Sequence, residues 1–172
     1  MNKLYAWISK NNKWKTVIIL AIIALISYVL MLTKVLGLNA HLNMALVLDT
    51  QFFYTGSYFS ATLNSLTTNE VNAYLYMHLL DYVFILSFYP ALCFLFDFIN
   101  KQHSNIVILP LIAMLFDFLE NSLIDIKLLV GIPQLFGSIA GIFTVLKFSV
   151  LIISGILMVI NVFVNRKSNA KT

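Results

Sequence analysis

Four long apolar segments constrain the fold of this chain more than any other feature of its sequence. They cover about residues 16–36, 74–99, 106–130 and 135–164, and each is long enough to cross a bilayer as a helix, which takes roughly 20 residues. Of the 172 residues, 60% are hydrophobic and only 10% are charged, a composition that excludes a soluble or disordered chain. The sequence therefore predicts an all-α integral membrane four-helix bundle, formed as a single transmembrane domain over residues 1–172.

Positive charges predict the orientation of the four helices. Threading the chain through a membrane four times places eight of its eleven cationic side chains on one side: Lys3, Lys10, Lys13, Lys15, Lys101, Arg166, Lys167 and Lys171. Lys34 and Lys127 fall on the other side. By the positive-inside rule we expect both termini in the cytoplasm, and helical spans are typical of the cell inner (plasma) membrane. The basic tails suit contact with membrane lipids and give no indication of nucleic acid as a partner.

The segment between the first two spans, about residues 37–73, is expected to be a structured loop on the outer, exofacial side. Thr67 and Glu70 have the spacing of a capping box, so the second helix is expected to begin before the membrane. A short amphipathic helix is expected just before this box, with Phe59 and Leu63 on one side. The loop is therefore predicted to carry helical structure of its own.

Two glycines in the fourth span predict a close helix contact. Gly137 and Gly141 form a GxxxG pattern, which lets another helix approach closely. The pattern leaves two interpretations open, namely packing within the four-helix bundle and a homo-oligomer formed through this face.

Ionisable residues inside the spans are the sequence feature that bears on function, because each is costly in lipid unless it is paired or hydrated. The third span carries Asp117, Glu120 and Asn121 at a spacing that places them on one helix face. The fourth span carries Lys147 at an overlapping depth. The second span has a polar stripe of its own, consisting of Tyr74, His78, Asp81 and Tyr82.

These stripes predict one polar site between the helices. Lys147 is expected to be the counter-ion of a carboxylate, above all of Asp117. Three acids (Asp81, Asp117 and Glu120) against one lysine favour a functional cavity that opens to the outer face. A buried network that only fixes helix packing is the alternative that the sequence leaves open.

The candidate site residues have two roles. Asp81, Asp117 and Glu120 are the candidate catalytic acids, since paired carboxylates support acid/base chemistry. The candidate ligand-binding residues are His78, Tyr82, Asn121, Lys147 and, in the first loop, Asp49. Asp49 either folds over the mouth of the cavity or is exposed. His78, Asp81, Asp117 and Glu120 offer metal ligands as a weaker alternative, but the chain has no HExxH or paired-histidine spacing, so no metal is assigned. The cofactor is unknown.

Two segments resemble a bacterial protein family. Leu79–Pro90 (LLDYVFILSFYP) and Asp117–Asn121 (DFLEN) are similar to segments of an uncharacterised bacterial family of four-helix membrane proteins. This resemblance covers most of the chain. It implies the same fold and brings no activity with it.

The second span also resembles the EXPERA family of sigma-2 receptor-like and sterol isomerase-like membrane proteins. The resemblance consists of an acid followed by an aromatic-rich, proline-kinked run, and is carried by Asp81, Phe84, Phe88, Tyr89 and Pro90. Cytoplasmic termini and a long first exofacial loop are further points of similarity. Members of that family use buried acids to hold a cationic ligand or a carbocation-like intermediate, so the resemblance implies that Asp81 and Asp49 line a pocket.

Three functions stay open on the sequence. The leading one is an intramembrane acidic pocket that binds a small amphipathic or lipid-like molecule, with acid/base catalysis on that molecule as an extension. The second is an oligomeric proton- or cation-coupled transporter or channel. The third is a non-catalytic accessory or immunity-type protein that recognises another membrane protein through the Gly137 and Gly141 face.

Overall fold

A computed structural model describes residues 2–37, 47–48, 51–99 and 105–169. This part of the chain is almost entirely helical and holds no β-strand, which confirms the predicted all-α class. Four of its helices are long and apolar enough to cross a membrane. The helices are α1 (Asn2–Asn11), α2 (Trp14–Gly37), α3 (Gly56–Asn64), α4 (Thr68–Ile99), α5 (Leu109–Val130) and α6 (Gln134–Asn169), with a 3-10 turn (Asn105–Ile108) directly before α5.

The four long helices α2, α4, α5 and α6 run alternately up and down. The beginning of α2 lies beside the end of α4, since the Trp14 and Phe98 rings stack with centroids 4.5 Å apart. The first half of α4 lies beside the second half of α5, since His78 Nδ1 is 2.6 Å from Asp125 Oδ1. A link of residues 131–133 then turns the chain back into α6, as short connections do between antiparallel neighbours.

Local capping explains why α4 begins ahead of its apolar segment. The Thr67 backbone N–H donates to Glu70 Oε2 at 2.7 Å, and the Glu70 N–H donates to Thr67 Oγ1 at 3.4 Å. The predicted capping box is therefore present, and it satisfies donors that a helix start leaves without partners. α4 then continues through Pro90 to Ile99, while α6 extends beyond the predicted end at residue 164.

The basic N-terminal region forms a helix that the sequence reasoning did not predict. α1 packs across the end of the bundle with Ile8 buried and Trp7 largely exposed. Tyr5 OH of α1 donates to Asp97 at the end of α4 at 3.0 Å, and Asn12, which directly follows α1, donates to the same carboxylate at 2.6 Å. A short helix with one apolar face and exposed lysines has the character of an interfacial amphipathic helix.

The GxxxG face of α6 packs within the same chain against α3 and against Tyr54, which lies two residues before α3. A Cβ atom built at Gly137 would lie under 3.0 Å from three side-chain atoms of Phe59, and one built at Gly141 would clash with the backbone carbonyl of Tyr54. Glycine at these two positions therefore lets α3 approach α6 closely. Phe59 and Leu63 are both buried, as the amphipathic pattern predicts. A partner recognised through this face would first have to displace α3.

Candidate functional site

Lys147 of α6 lies between two acids of α5 in the interior of the bundle. Its Nζ atom is 2.7 Å from Asp117 Oδ1 and 2.8 Å from Glu120 Oε2. The predicted contact with Asp117 is present, and Glu120 shares the same ammonium group. All three residues are buried, with at most 6% of their surface exposed. In such surroundings the attraction within an ion pair and the free energy lost on dehydration are both large.

Hydroxyl groups bind the remaining oxygens of these two acids. Tyr89 OH donates to Asp117 Oδ2 at 2.7 Å. Tyr54 OH donates to Glu120 Oε1 at 3.0 Å, and the Thr144 hydroxyl is hydrogen-bonded to the same oxygen. Each carboxylate is thus held by the lysine on one side and by neutral donors on the other, an arrangement that fixes its orientation.

A second group of polar contacts joins α4 to α5. Asn121 Nδ2 donates to Asp81 Oδ2. Asp125 binds two candidate ligand residues, since it lies 2.6 Å from His78 Nδ1 and accepts from Tyr82 OH at 2.8 Å. The structure therefore brings all the described candidate residues into one interior region. Asp49 lies outside the described residues.

The acids follow α5 as a continuous polar strip. From Asp117 to Asp125 the strip spans eight residues, or about 12 Å at a rise of 1.5 Å per residue. Among the described residues it brings four carboxyl groups, counting Asp81, together with the two basic side chains Lys147 and His78. An interior with more acids than bases favours the binding of positive charge, carried by protons, by metal cations or by an organic cation.

One buried acceptor of the strip has no hydrogen-bond partner in the part of the chain that the structure describes. Asn121 is fully buried, its amide nitrogen binds Asp81, and its Oδ1 atom receives no hydrogen bond. Leaving such an atom unsatisfied costs about 1–3 kcal/mol. A ligand that brings an N–H or O–H group to this oxygen would recover that free energy.

The described residues between α2 and α4 pack over the site at the end where the sequence predicts an opening. The Leu48 N–H donates to Tyr74 OH at 3.0 Å. Leu48, Tyr54 and Phe59 are all buried against the bundle. Glu120, which binds Tyr54 of this segment, and Asn121 have no exposed surface. The described part of this segment, residues 47–48 and 51–64 (the covering segment), therefore lies over the acids at this end of the bundle.

Metal and cavity geometry add two observations. No group of three histidine, cysteine, aspartate or glutamate residues suited to a metal ion occurs among the described residues. Two cavities, of about 480 and 320 Å³, are lined by residues other than the interior acids. The smaller lies between α2 and α4 and has an apolar lining that includes Tyr28, Phe84 and Phe88.

Four residues of the site were missed by sequence reasoning. Asp125 continues the α5 stripe at eight residues from Asp117. Its side chain is 19% exposed and bound to His78. Helical spacing also carries a signal for Tyr89, two turns beyond Asp81, and for Thr144, one turn before Lys147. Tyr54 carries no such signal, because only the tertiary fold brings it to Glu120.

The chain matches no protein-family model, no curated protein and no solved structure. The two family resemblances therefore stay predictions from their motifs.

Proposed function

We propose that this protein is an integral membrane protein whose interior acids bind a small amphipathic or lipid-like molecule. The molecule would carry an ammonium group or several hydrogen-bond donors. Asp81, Asp117 and Glu120 would accept from it, Asn121 would orient it, and Lys147 would limit the negative charge of the empty site. Acid/base catalysis on the bound molecule is an extension of this proposal, with the same three acids as proton donors and acceptors.

Two features of the described interior together support the proposal. It holds more acids than bases, and one of its buried acceptor atoms has no donor. Four carboxyl groups lie with one lysine and one histidine in the described interior, and Asn121 Oδ1 has no donor there. A network that served packing alone would gain most from equal numbers of charges and from satisfied polar atoms. A cationic head with N–H groups would supply both the missing charge and the missing donor.

In the proposed topology, the long helices span the cell inner (plasma) membrane and both termini lie in the cytoplasm. Its support is that α1, the end of α4 and the end of α6 lie at one end of the bundle, since Ile8, Phe94 and Met158 belong to one apolar cluster. The N-terminal lysines are at this end, and it would face inward by the positive-inside rule. The covering segment would then lie on the outer side and would regulate access to the acids.

Binding of a cationic amphiphile tests the proposal. Dodecylamine is titrated against the protein in nanodiscs of zwitterionic lipid, with dodecanol as the uncharged probe of equal chain length. Saturable binding of the amine is expected for the wild type, with at least a tenfold loss in Asp117→Asn and in Glu120→Gln. Asp97→Asn is the matched control, because Asp97 contacts Tyr5 and Asn12 at the far end of the bundle. Equal binding by all four proteins would refute the assignment.

A second candidate is a proton- or cation-coupled transporter or channel. The polar strip along α5 favours it, because an array of titratable groups about 12 Å long suits the relay of protons across part of a membrane. A single four-helix protomer is small for a pore, so this function requires an oligomer. Proton flux into liposomes that disappears in Glu120→Gln would support it, and a strictly monomeric protein without flux would exclude it.

A further inference from the structure

A cavity of about 480 Å³ lies beneath α1, at the end of the bundle that carries the N-terminal lysines. Its inner wall is apolar and comes from three long helices, with Leu20 from α2, Phe94 from α4 and Leu111 from α5. α1 closes it from the side with Ile8. Its volume is within the range of roughly 300–1,000 Å³ that is usual for small-molecule sites.

The rim of this cavity is polar and positively charged. Asn11, Lys13 and Thr16 line it at the junction of α1 and α2. Lys10 and Lys15 are exposed close by in sequence, and residues 1–15 contain no acid. The acid at the end of α4, Asp97, is engaged by Tyr5 and Asn12. The mouth of the cavity therefore suits an anion, while its interior suits a hydrocarbon chain.

Two exposed tryptophans place this mouth at the level of the lipid headgroups. Trp7 is 59% exposed and Trp14 is 58% exposed, and Trp7 lines the cavity itself. Tryptophan is enriched at the membrane–water interface, where an amphipathic helix such as α1 also lies. A membrane lipid next to the protein would thus have its phosphate at the height of Lys13 and its acyl chains at the height of Leu20 and Leu111.

We propose that this cavity is a binding site for an anionic phospholipid. The lipid phosphate would contact Lys13, with Asn11 and Thr16 as hydrogen-bond donors, and one acyl chain would fill the apolar interior. The site is separate from the interior acids, so it does not depend on the function proposed above. α1 would in this way be attached to the bundle by the lipid as well as by its own contacts.

Native mass spectrometry of the protein from nanodiscs that contain equal amounts of phosphatidylglycerol and phosphatidylcholine tests this site. We expect the wild type to retain one phosphatidylglycerol molecule in preference to phosphatidylcholine. Lys13→Gln should lower this preference about fivefold, because it removes a direct charge-assisted contact with the lipid phosphate. Lys15→Gln is the matched control, since it removes the same charge from an exposed residue that does not line the cavity. Equal losses in both variants would reduce the effect to general surface attraction and overturn the site.

A steric variant tests the acyl chain separately from the charge. Leu20→Phe fills part of the cavity and should lower retention of the lipid, whereas Leu86→Phe adds the same volume on the exposed face of α4 and should not. Inorganic phosphate at millimolar concentration should leave the bound lipid in place. Displacement by phosphate alone, or retention that is unchanged in Leu20→Phe, would contradict a lipid whose chain occupies the cavity. Asp117→Asn should leave lipid retention unaltered, which separates this test from that of the interior acids.

Discussion

Removal of the Lys147 side-chain charge by Lys147→Met is expected to destabilise the bundle strongly. The substitution keeps an unbranched side chain of similar length, so it changes charge and hydrogen bonding more than volume. It leaves Asp117 and Glu120 facing each other without the ammonium group that lies 2.7 and 2.8 Å from their oxygens. Both acids are buried, with 6% and 0% of their surfaces exposed, so water would screen the remaining charges poorly.

The size of the effect follows from this geometry. Two oxygens that contact one nitrogen at 2.7 and 2.8 Å are at most about 5.5 Å apart. At that separation, and at an effective dielectric constant of about 20, two unit charges repel by about 3 kcal/mol. Breaking a buried ion pair by removal of one partner costs about 3–5 kcal/mol, which agrees with that figure. We therefore expect Lys147→Met to lower the free energy of unfolding by about 3–5 kcal/mol. Neutralising both acids in the same background (Asp117→Asn and Glu120→Gln) should restore most of it.

The single cysteine of the chain provides the assay. Cys93 is 2% exposed, so a thiol-reactive fluorogenic dye would label it only as the bundle opens during heating in detergent. A chain of this length shifts its Tm by about 2–4 °C per kcal/mol, which predicts a decrease of about 6–20 °C for Lys147→Met. Lys10→Met, which removes an exposed lysine, is the control and should leave the Tm within about 2 °C. A Tm of Lys147→Met equal to that of the control, or no recovery in the triple variant, would refute the buried ion-pair geometry.

The glycine contacts and the capping box give two further predictions. Gly141→Ala should destabilise the protein by about 1–3 kcal/mol through the clash with the Tyr54 carbonyl, whereas Gly155→Ala, whose Cβ would meet nothing within 4 Å, should be neutral or slightly stabilising. Equal melting temperatures of these two variants would contradict the packing of the covering segment on α6. Thr67→Ala should cost about 0.5–2 kcal/mol by removing the cap of α4, seen as faster amide exchange in its first turn. Exchange that is unchanged there, or that increases equally in the rest of α4, would argue against the reciprocal bonds with Glu70.

The architecture of the spans was predictable from the sequence because lipid imposes strict demands on it. In hydrocarbon the backbone of a single span can satisfy its hydrogen bonds only as a helix. The length and hydropathy of a segment are therefore sufficient to locate such a helix. The α5 stripe was predictable for the same reason, since a helical period decides which side chains share a face. Asp117, Glu120 and Asn121 are accordingly all buried in the structure, and a local motif, the capping box, marked the beginning of α4.

The remaining features depend on contacts between segments distant in sequence. Tyr54 binds Glu120 from a position 66 residues earlier in the chain, and no local pattern encodes that contact. α1 was not predicted as a helix because its basic, mixed composition matches a tail as well as an interfacial helix. α1 contacts the end of α4 through the hydrogen bond from Tyr5 to Asp97 and through the apolar cluster around Ile8.

The covering segment has a consequence for how the interior acids would function. Tyr54 binds Glu120 directly while its backbone packs on Gly141, so movement of this segment would free an acid and open a path at the same time. Binding of a ligand that replaces the Tyr54 hydroxyl at Glu120 would therefore be coupled to movement of the covering segment. Tyr54→Phe should strengthen binding of a cationic amphiphile by about two- to tenfold, because it removes a competing donor worth about 0.5–1.5 kcal/mol. Binding that weakens in this variant would instead assign the hydroxyl to the ligand site.

The central claim is that the interior acids hold a small molecule, and native mass spectrometry of the protein in nanodiscs cut directly from the expressing membrane tests it most directly. The proposal predicts a defined adduct on the wild type that disappears in the double variant Asp117→Asn, Glu120→Gln and persists in Asp97→Asn. Apart from the phospholipid expected in the cavity beneath α1, an adduct that the double variant retains would contradict the claim. A protein without any bound molecule would contradict it as well. A closed higher oligomer without a specific adduct would also contradict it, and would favour the transporter or channel instead.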